Sequence, residues 1–122
     1  MAIRARSKIW LEDDDGTYLM GPRTARLLLA IDDTGSLRRA AENAGFSYRA
    51  AWDRLRRVEE AVGYTLVETT VGGPGGGGTV LSASGRTLVH TFLDLEQQTK
   101  RLVHTAYADE TLQELAEPPS EV

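Results

Sequence analysis

Between Tyr48 and Arg57 the chain brings together Tyr48, Arg49, Trp52, Asp53, Arg56 and Arg57. This mixture of guanidinium forks and aromatic rings suits a surface that is anionic and rich in hydrogen-bonding edges. A guanidinium can bond guanine O6 and N7 or a phosphate, while aromatic edges touch thymine methyl groups and sugars. At about 100° per residue, Ala51, Leu55, Val58 and Val62 share one narrow arc of a helix. Tyr48, Arg49, Trp52, Asp53 and Arg56 share an adjoining arc that core packing leaves open. The chemistry on offer is recognition of a nucleic-acid groove. The competing reading makes Trp52 a core residue and the arginines a solvated face, since basic amphipathic helices are common.

Two helices must hold these residues. Ser36 precedes Leu37, Ala40 and Ala44, an apolar row at helical spacing, and its hydroxyl can cap the first backbone N–H groups. Gly45 stops that helix, and Ser47 caps the next. The pattern predicts a helix-turn-helix in which the first helix, carrying Arg38 and Arg39, braces and the second reads. Upstream, Ser7 to Met20 reads as a β-hairpin around Asp13-Asp14-Asp15-Gly16, and Gly21-Pro22 opens a helix buried through Leu27, Leu28 and Ile31.

After Gly63 the period becomes extended. Leu66 to Val71 reads as one strand and Thr79 to Leu81 as its partner. Between them lies a loop almost without side chains, Gly72, Gly73, Pro74, Gly75, Gly76, Gly77 and Gly78. Two short strands with a projecting loop directly after a reading helix form a wing. Bare N–H groups there could approach a phosphate backbone that a Cβ would obstruct; the alternative is a flexible connector. A nucleotide-binding P-loop is rejected, because Gly-Lys-Ser/Thr is absent.

Ser82-Ala83-Ser84-Gly85 begins the longest helix. Along it Leu88, Phe92, Leu95, Thr99, Leu102 and Ala106 step by four and three, the spacing of a heptad seam suited to a homodimer. The alternative is a stripe packed only within the chain. The expected organisation is one winged domain over residues 1–108, with its dimerisation helix at about 84–108. Residues 109–122 read as an acidic, disordered tail containing Pro118-Pro119. The fold class is mainly α with small β elements: a winged helix-turn-helix with an N-terminal hairpin and a long C-terminal helix.

Composition narrows the function. The chain has 122 residues, no cysteine and a formal net charge of −4, so disulfides, thiolate metal sites and cysteine nucleophiles are excluded. The charge is uneven. From Ser36 to Arg57 six arginines against Glu42 and Asp53 leave +4, whereas beyond Leu93 two cations against seven carboxylates leave −5. A local basic patch is what phosphate contact requires. His90 and His104 lie too far apart to form a ligand pair, and Asp13 to Asp15 lack the other positions of a calcium loop. No catalytic constellation, metal site or cofactor is expected. Without an apolar signal core or a membrane-length apolar run, the expected location is the cytoplasm.

Thr34-Gly35-Ser36, Ala40-Ala41 through Ala44-Gly45, Ser47-Tyr48-Arg49-Ala50-Ala51-Trp52-Asp53 and the glycine run Gly72 to Gly78, followed by Val80-Leu81 and Gly85, together carry a resemblance. The chain resembles the N-terminal DNA-binding domain of the ModE family of molybdate-responsive transcriptional regulators, itself similar to that of LysR-type regulators. The resemblance covers most of the span from about Ser7 to about Val103. It implies a dimer on a palindromic operator in double-stranded DNA, with the helix starting at Ser47 in the major groove and the wing on the flanking backbone. Ser47, Tyr48, Arg49, Trp52 and Asp53 would lie on the reading helix, and Pro74 stands where the family usually has a basic wing residue. Full-length family members continue into oxyanion-binding domains, so molybdate or tungstate binding is not expected in this chain. Two other readings stay open: a winged-helix module that binds a partner protein, and a single-domain oxyanion sensor.

Overall fold

Capping residues divide the helical half of the chain. The computed structural model describes residues 2–73, 76–106 and 109–116. Pro22 sits in the first turn of α1 (Pro22–Thr34), where its missing N–H removes no helical bond. Gly35, at φ 67°, turns the chain out of that helix and returns its N–H to the Ile31 carbonyl at 2.8 Å. The Ser36 hydroxyl accepts from the Arg39 N–H at 3.2 Å and starts α2 (Leu37–Ala44). Gly45, at φ 77°, ends it. Ser47 accepts from the Ala50 N–H at 3.1 Å and starts α3 (Tyr48–Val62). The helix-turn-helix expected from sequence is present, with its caps where the residue types put them.

Helix α1 lies at the centre, touching α2, α3 and the last long helix α4 (Ala83–Ala106). Leu27, Leu28 and Ile31 of α1 meet Leu37, Ala40 and Ala41 of α2 and Ala51, Leu55 and Val58 of α3 in one buried cluster. Val89 and Phe92 of α4 close it. Phe92 is therefore misplaced by the heptad count: it is fully buried inside its own domain and is not available to a dimer seam. A three-four spacing records that one helical face is apolar but not whether the surface covering it belongs to the same chain.

The N-terminal hairpin is shorter than its apolar residues suggested. Its strands are β1 (Leu11–Glu12) and β2 (Tyr18–Met20), paired antiparallel, and Asp13 Oδ1 accepts the N–H groups of Asp15 and Thr17 at 2.9 Å each in the turn. Asp13 to Asp15 thus serve a turn, as expected.

The glycine run also departs from expectation. It is no open loop, because β3 (Val67–Gly73) and β4 (Gly76–Leu81) pair antiparallel through it, with Thr70 opposite Gly78 and Gly73 opposite Gly76. The register shifts between Thr70 and Gly73. Pro74 and Gly75 lie outside the described residues. The base of this ribbon is fixed to the helical half. The Thr79 N–H donates to the Gly35 carbonyl at 2.9 Å, and a Cβ on Gly78 would sit 2.7 Å from that same oxygen. Glu59 of α3 accepts the Leu66 N–H at 2.7 Å. Ser82 donates its hydroxyl to the Thr65 carbonyl at 2.6 Å while accepting the Gly85 N–H at 2.9 Å, which caps α4 against the ribbon.

The acidic segment read as disordered contains a short helix, α5 (Asp109–Glu114). Its Gln113 exchanges two hydrogen bonds with the backbone of Ile3, at 3.4 and 3.1 Å, a pairing of chain ends that composition does not register. Residues 117–122, with Pro118 and Pro119, lie outside the described residues.

Candidate nucleic-acid interface

The outward arc of α3 carries Tyr48, Arg49, Asp53, Arg56 and Arg57, all exposed, while Ala51, Leu55 and Val58 are buried on its other side. Trp52 lies between the two sets, half-buried and packed against the core. Both sequence readings of Trp52 therefore hold in part: its body is a packing residue and its edge reaches the surface. Tyr48 stands edge-on to it, with ring centroids 6.4 Å apart and planes at 90°. The guanidinium of Arg38, from α2, lies 4.6 Å from the centre of the Tyr48 ring, and that of Arg56 lies 5.6 Å from Trp52. Cation and ring alternate along this row. Each exposed cation–π contact contributes about 0.5–1 kcal/mol, enough to hold a long side chain in place before a ligand arrives.

The row borders a cleft of about 290 Å³ between the helical half and the ribbon, lined by Ser36, Arg38, Tyr48, Trp52, Thr69 and Gly78. The fold thus brings the helix-turn-helix residues and the base of the ribbon to one side. Arg39 is exposed on α2 as well. Ser36 and Ser47 hold helix N-termini, and their hydroxyls already accept backbone N–H groups. Among the described residues the ion pairs are Arg86 with Asp32 and Lys100 with Glu96, and His90 Nε2 lies 3.8 Å from Asp32; none of these contacts involves an arginine of α2 or α3. The arginines of this face thus make no ion pair among the described residues, and Asp53 is the carboxylate that shares the outward arc of α3 with them.

Gly72, Gly73, Gly76 and Gly77 lie in the paired ribbon, and Gly75 lies outside the described residues. Gly78 differs from the role given to it from sequence. Its N–H is taken by Thr70 Oγ1 at 2.7 Å, and its lack of a side chain admits the Gly35 carbonyl. It is a docking glycine, with no N–H left for a phosphate.

Sequence reasoning missed Phe46, in the turn between α2 and α3. Arg23 lies 4.3 Å from its ring centre and donates to the Gly45 carbonyl at 3.2 Å, and Arg54 lies 5.7 Å from the same ring. The signal was an aromatic residue inside a turn, which a count of caps and charges passes over. Of the seam on α4, Leu88 and Thr99 are half-buried, Leu95 and Leu102 are 43% and 67% exposed, and Ala106 is exposed. The described residues contain no cluster of three or more His, Asp or Glu able to hold a metal.

Comparison with known proteins matches residues 22–86 to the family described as bacterial regulatory helix-turn-helix protein, lysR family. The chain is 41% identical over 87 residues to the molybdenum transport protein ModE of Herbaspirillum seropedicae, covering 71% of this chain and 32% of that protein. It is 36% identical over 89 residues to the DNA-binding transcriptional dual regulator ModE of Escherichia coli K12, covering 73% and 34% respectively. The chain thus spans about a third of the length of the curated relatives it matches. Among solved structures, the DNA-binding domain in a CbnR–DNA complex shares the fold, with a TM-score of 0.57 at 17% identity, over 80% of this chain and all of that one.

Proposed function

This chain belongs to the bacterial regulatory helix-turn-helix proteins of the lysR family, and on that premise we propose that it is a sequence-specific regulator of transcription that binds double-stranded DNA. The observation that carries the reading is the row of Arg38 from α2 with Tyr48, Trp52 and Arg56 of α3 beside exposed Arg49, with no ion pair to these arginines among the described residues and Ala51, Leu55 and Val58 buried on the opposite side of α3. In this reading α3 enters the major groove, Arg49 and Arg56 reach base edges or phosphates, and the ribbon meets the flanking backbone. Arg39 and Arg57 position the domain on phosphates and carry no sequence information. The ModE relatives support the same class of activity.

The protein acts in the cytoplasm as a homodimer on a palindromic operator, joined through the exposed part of α4 at Leu95 and Leu102. Residues 1–108 form the DNA-binding and dimerising unit. None of the described helices is long and apolar enough to cross a membrane. No catalytic step is assigned to it. Operator affinity of this chain is insensitive to molybdate and tungstate; within the N–H-rich glycine run the N–H of Gly78 already has Thr70 Oγ1 as its partner.

Selection of bound duplexes from a random pool, repeated at several salt concentrations, tests the reading. A recovered palindrome bound with steep salt dependence is the expected result. Failure to enrich any sequence overturns it. A tenfold change in operator affinity with millimolar molybdate, about 1.4 kcal/mol of coupling, overturns the insensitivity.

A further inference from the structure

A helix lying in the major groove is walled on both sides. The groove is about 12 Å wide and a helix with its side chains measures about 10–12 Å, so one phosphate strand runs along each flank. At about 100° per residue, Tyr48 and Trp52 lie on one flank of the outward arc of α3, beside Arg38 and the ribbon. Arg54 lies on the other flank, which the proposed function leaves unassigned.

That flank opens into a second groove, of about 410 Å³, lined by Arg6, Lys8, Arg23, Arg26, Arg54 and Lys100 against a single carboxylate, Glu96. The cations come from the N-terminal arm, from α1, from α3 and from α4. Two are held in place: Arg23 by the Gly45 carbonyl and the Phe46 ring, and Arg54 by that ring and by Thr24 Oγ1 at 3.5 Å. Two guanidinium groups against one ring repel each other unless an anion joins them. Of these six cations only Lys100 has an ion-pair partner among the described residues, Glu96 at 3.7 Å. The N-terminus of α1 lines the groove through Pro22, has no side-chain cap and carries no acidic residue in its first turn, so its positive end is also unanswered.

We infer that this groove seats backbone phosphates of the DNA strand on the Arg54 side of the reading helix, extending the footprint outward onto the N-terminal arm at Arg6 and Lys8. The inference rests on the DNA-binding reading above and adds a surface to it. Arg6 and Lys8 precede, and Lys100 follows, residues 22–86, the span matched to the family, so half of the cations of this groove lie outside that span while Arg23, Arg26 and Arg54 lie within it. A phosphate seat of this kind contributes affinity and register to every sequence alike.

The test uses the full chain and the operator recovered by selection. Arg26→Ala and the double variant Arg6→Ala/Lys8→Ala are compared with Arg101→Ala, which removes the same charge from α4 outside the groove. Log affinity against log salt should flatten by about 0.9 for each phosphate that a variant no longer neutralises. In each half-site Arg26→Ala should remove about one such step and the double variant about two, amounts that the two protomers of the dimer double for the whole operator. Preference for operator over scrambled duplex should stay unchanged, and phosphates outside the half-site should become open to cleavage. Arg101→Ala should keep the wild-type slope. Slopes and protection unchanged in the groove variants, or a flattening equal to that of Arg101→Ala, would overturn the inference while leaving DNA binding intact. Calorimetric binding of inorganic phosphate to the groove without any effect of these variants on DNA would mark a small-anion site and overturn it too. Absence of operator binding by the wild-type chain at low salt would remove the DNA reading itself.

Discussion

Helices α3 and α4 are both amphipathic, but their apolar faces meet different fates. In α3, Ala51, Leu55 and Val58 are all buried by the same chain, and the exposed arc is left to arginines and aromatic edges. In α4 the apolar positions divide by height: Val89 and Phe92 enter the core, whereas Leu95 and Leu102, nearer the C-terminus, remain exposed. Single exposed apolar residues are common on protein surfaces, but two leucines one heptad apart on one helix offer a strip that a second helix can cover. The contrast separates a helix whose polar side carries the proposed DNA contact from one whose unmatched apolar side carries the proposed dimer contact.

The sharpest way to break this contrast is Phe92→Ala. Removal of a buried phenylalanine costs about 3–5 kcal/mol, and urea unfolding should show that cost at any protein concentration. A cost that vanished on dilution would return Phe92 to the dimer seam. Leu102→Asp probes the other end of the same helix. In a dimer it would bury an unpaired carboxylate at a cost of several kcal/mol, so sedimentation should report a monomer. At protein concentrations low enough for wild type to be monomeric as well, the variant should unfold within about 0.5 kcal/mol of it, as for other surface changes. Leu95→Asp should behave likewise.

On α3 the expected effects are smaller and fall on binding. Arg49→Ala should weaken operator binding by about 1–3 kcal/mol and relax selectivity at one position in each half-site. Arg39→Ala should weaken all sequences alike, and competition binding against singly substituted operators separates the two. The smallest effect belongs to Ser47→Ala, which removes the cap of the reading helix and should cost about 1 kcal/mol of stability, seen as a lower midpoint in thermal melts.

The helices were legible because their ends are written in residue types with few alternatives. Ser36 and Ser47 offer a hydroxyl where a helix needs an acceptor, and Gly45 tolerates a left-handed turn that a Cβ would strain. The outward face of α3 was legible for the same reason that its inner face was, since both follow from one period. Phe92 was not, because a period gives the direction of a side chain and not the identity of its neighbour. Gly78 escaped too: a glycine tolerated for closeness to Gly35 looks, in sequence, like its neighbours in the run. The pairing of Arg23 and Arg54 through Phe46 joins residues distant along the chain, which no local window contains.

The bond from Thr79 to Gly35 sets where the ribbon begins to be measured. Its origin is a backbone carbonyl in the turn between α1 and α2, and it does not depend on any side chain at the tip. Each residue added to both strands beyond that point would lengthen the ribbon by about 3.3 Å without moving its base. The protein therefore contains a ruler with a fixed zero. The helix-turn-helix and the ribbon can change in reach relative to one another while keeping a common alignment, so in the proposed mode of binding, spacing along DNA and choice of bases would be open to separate adjustment.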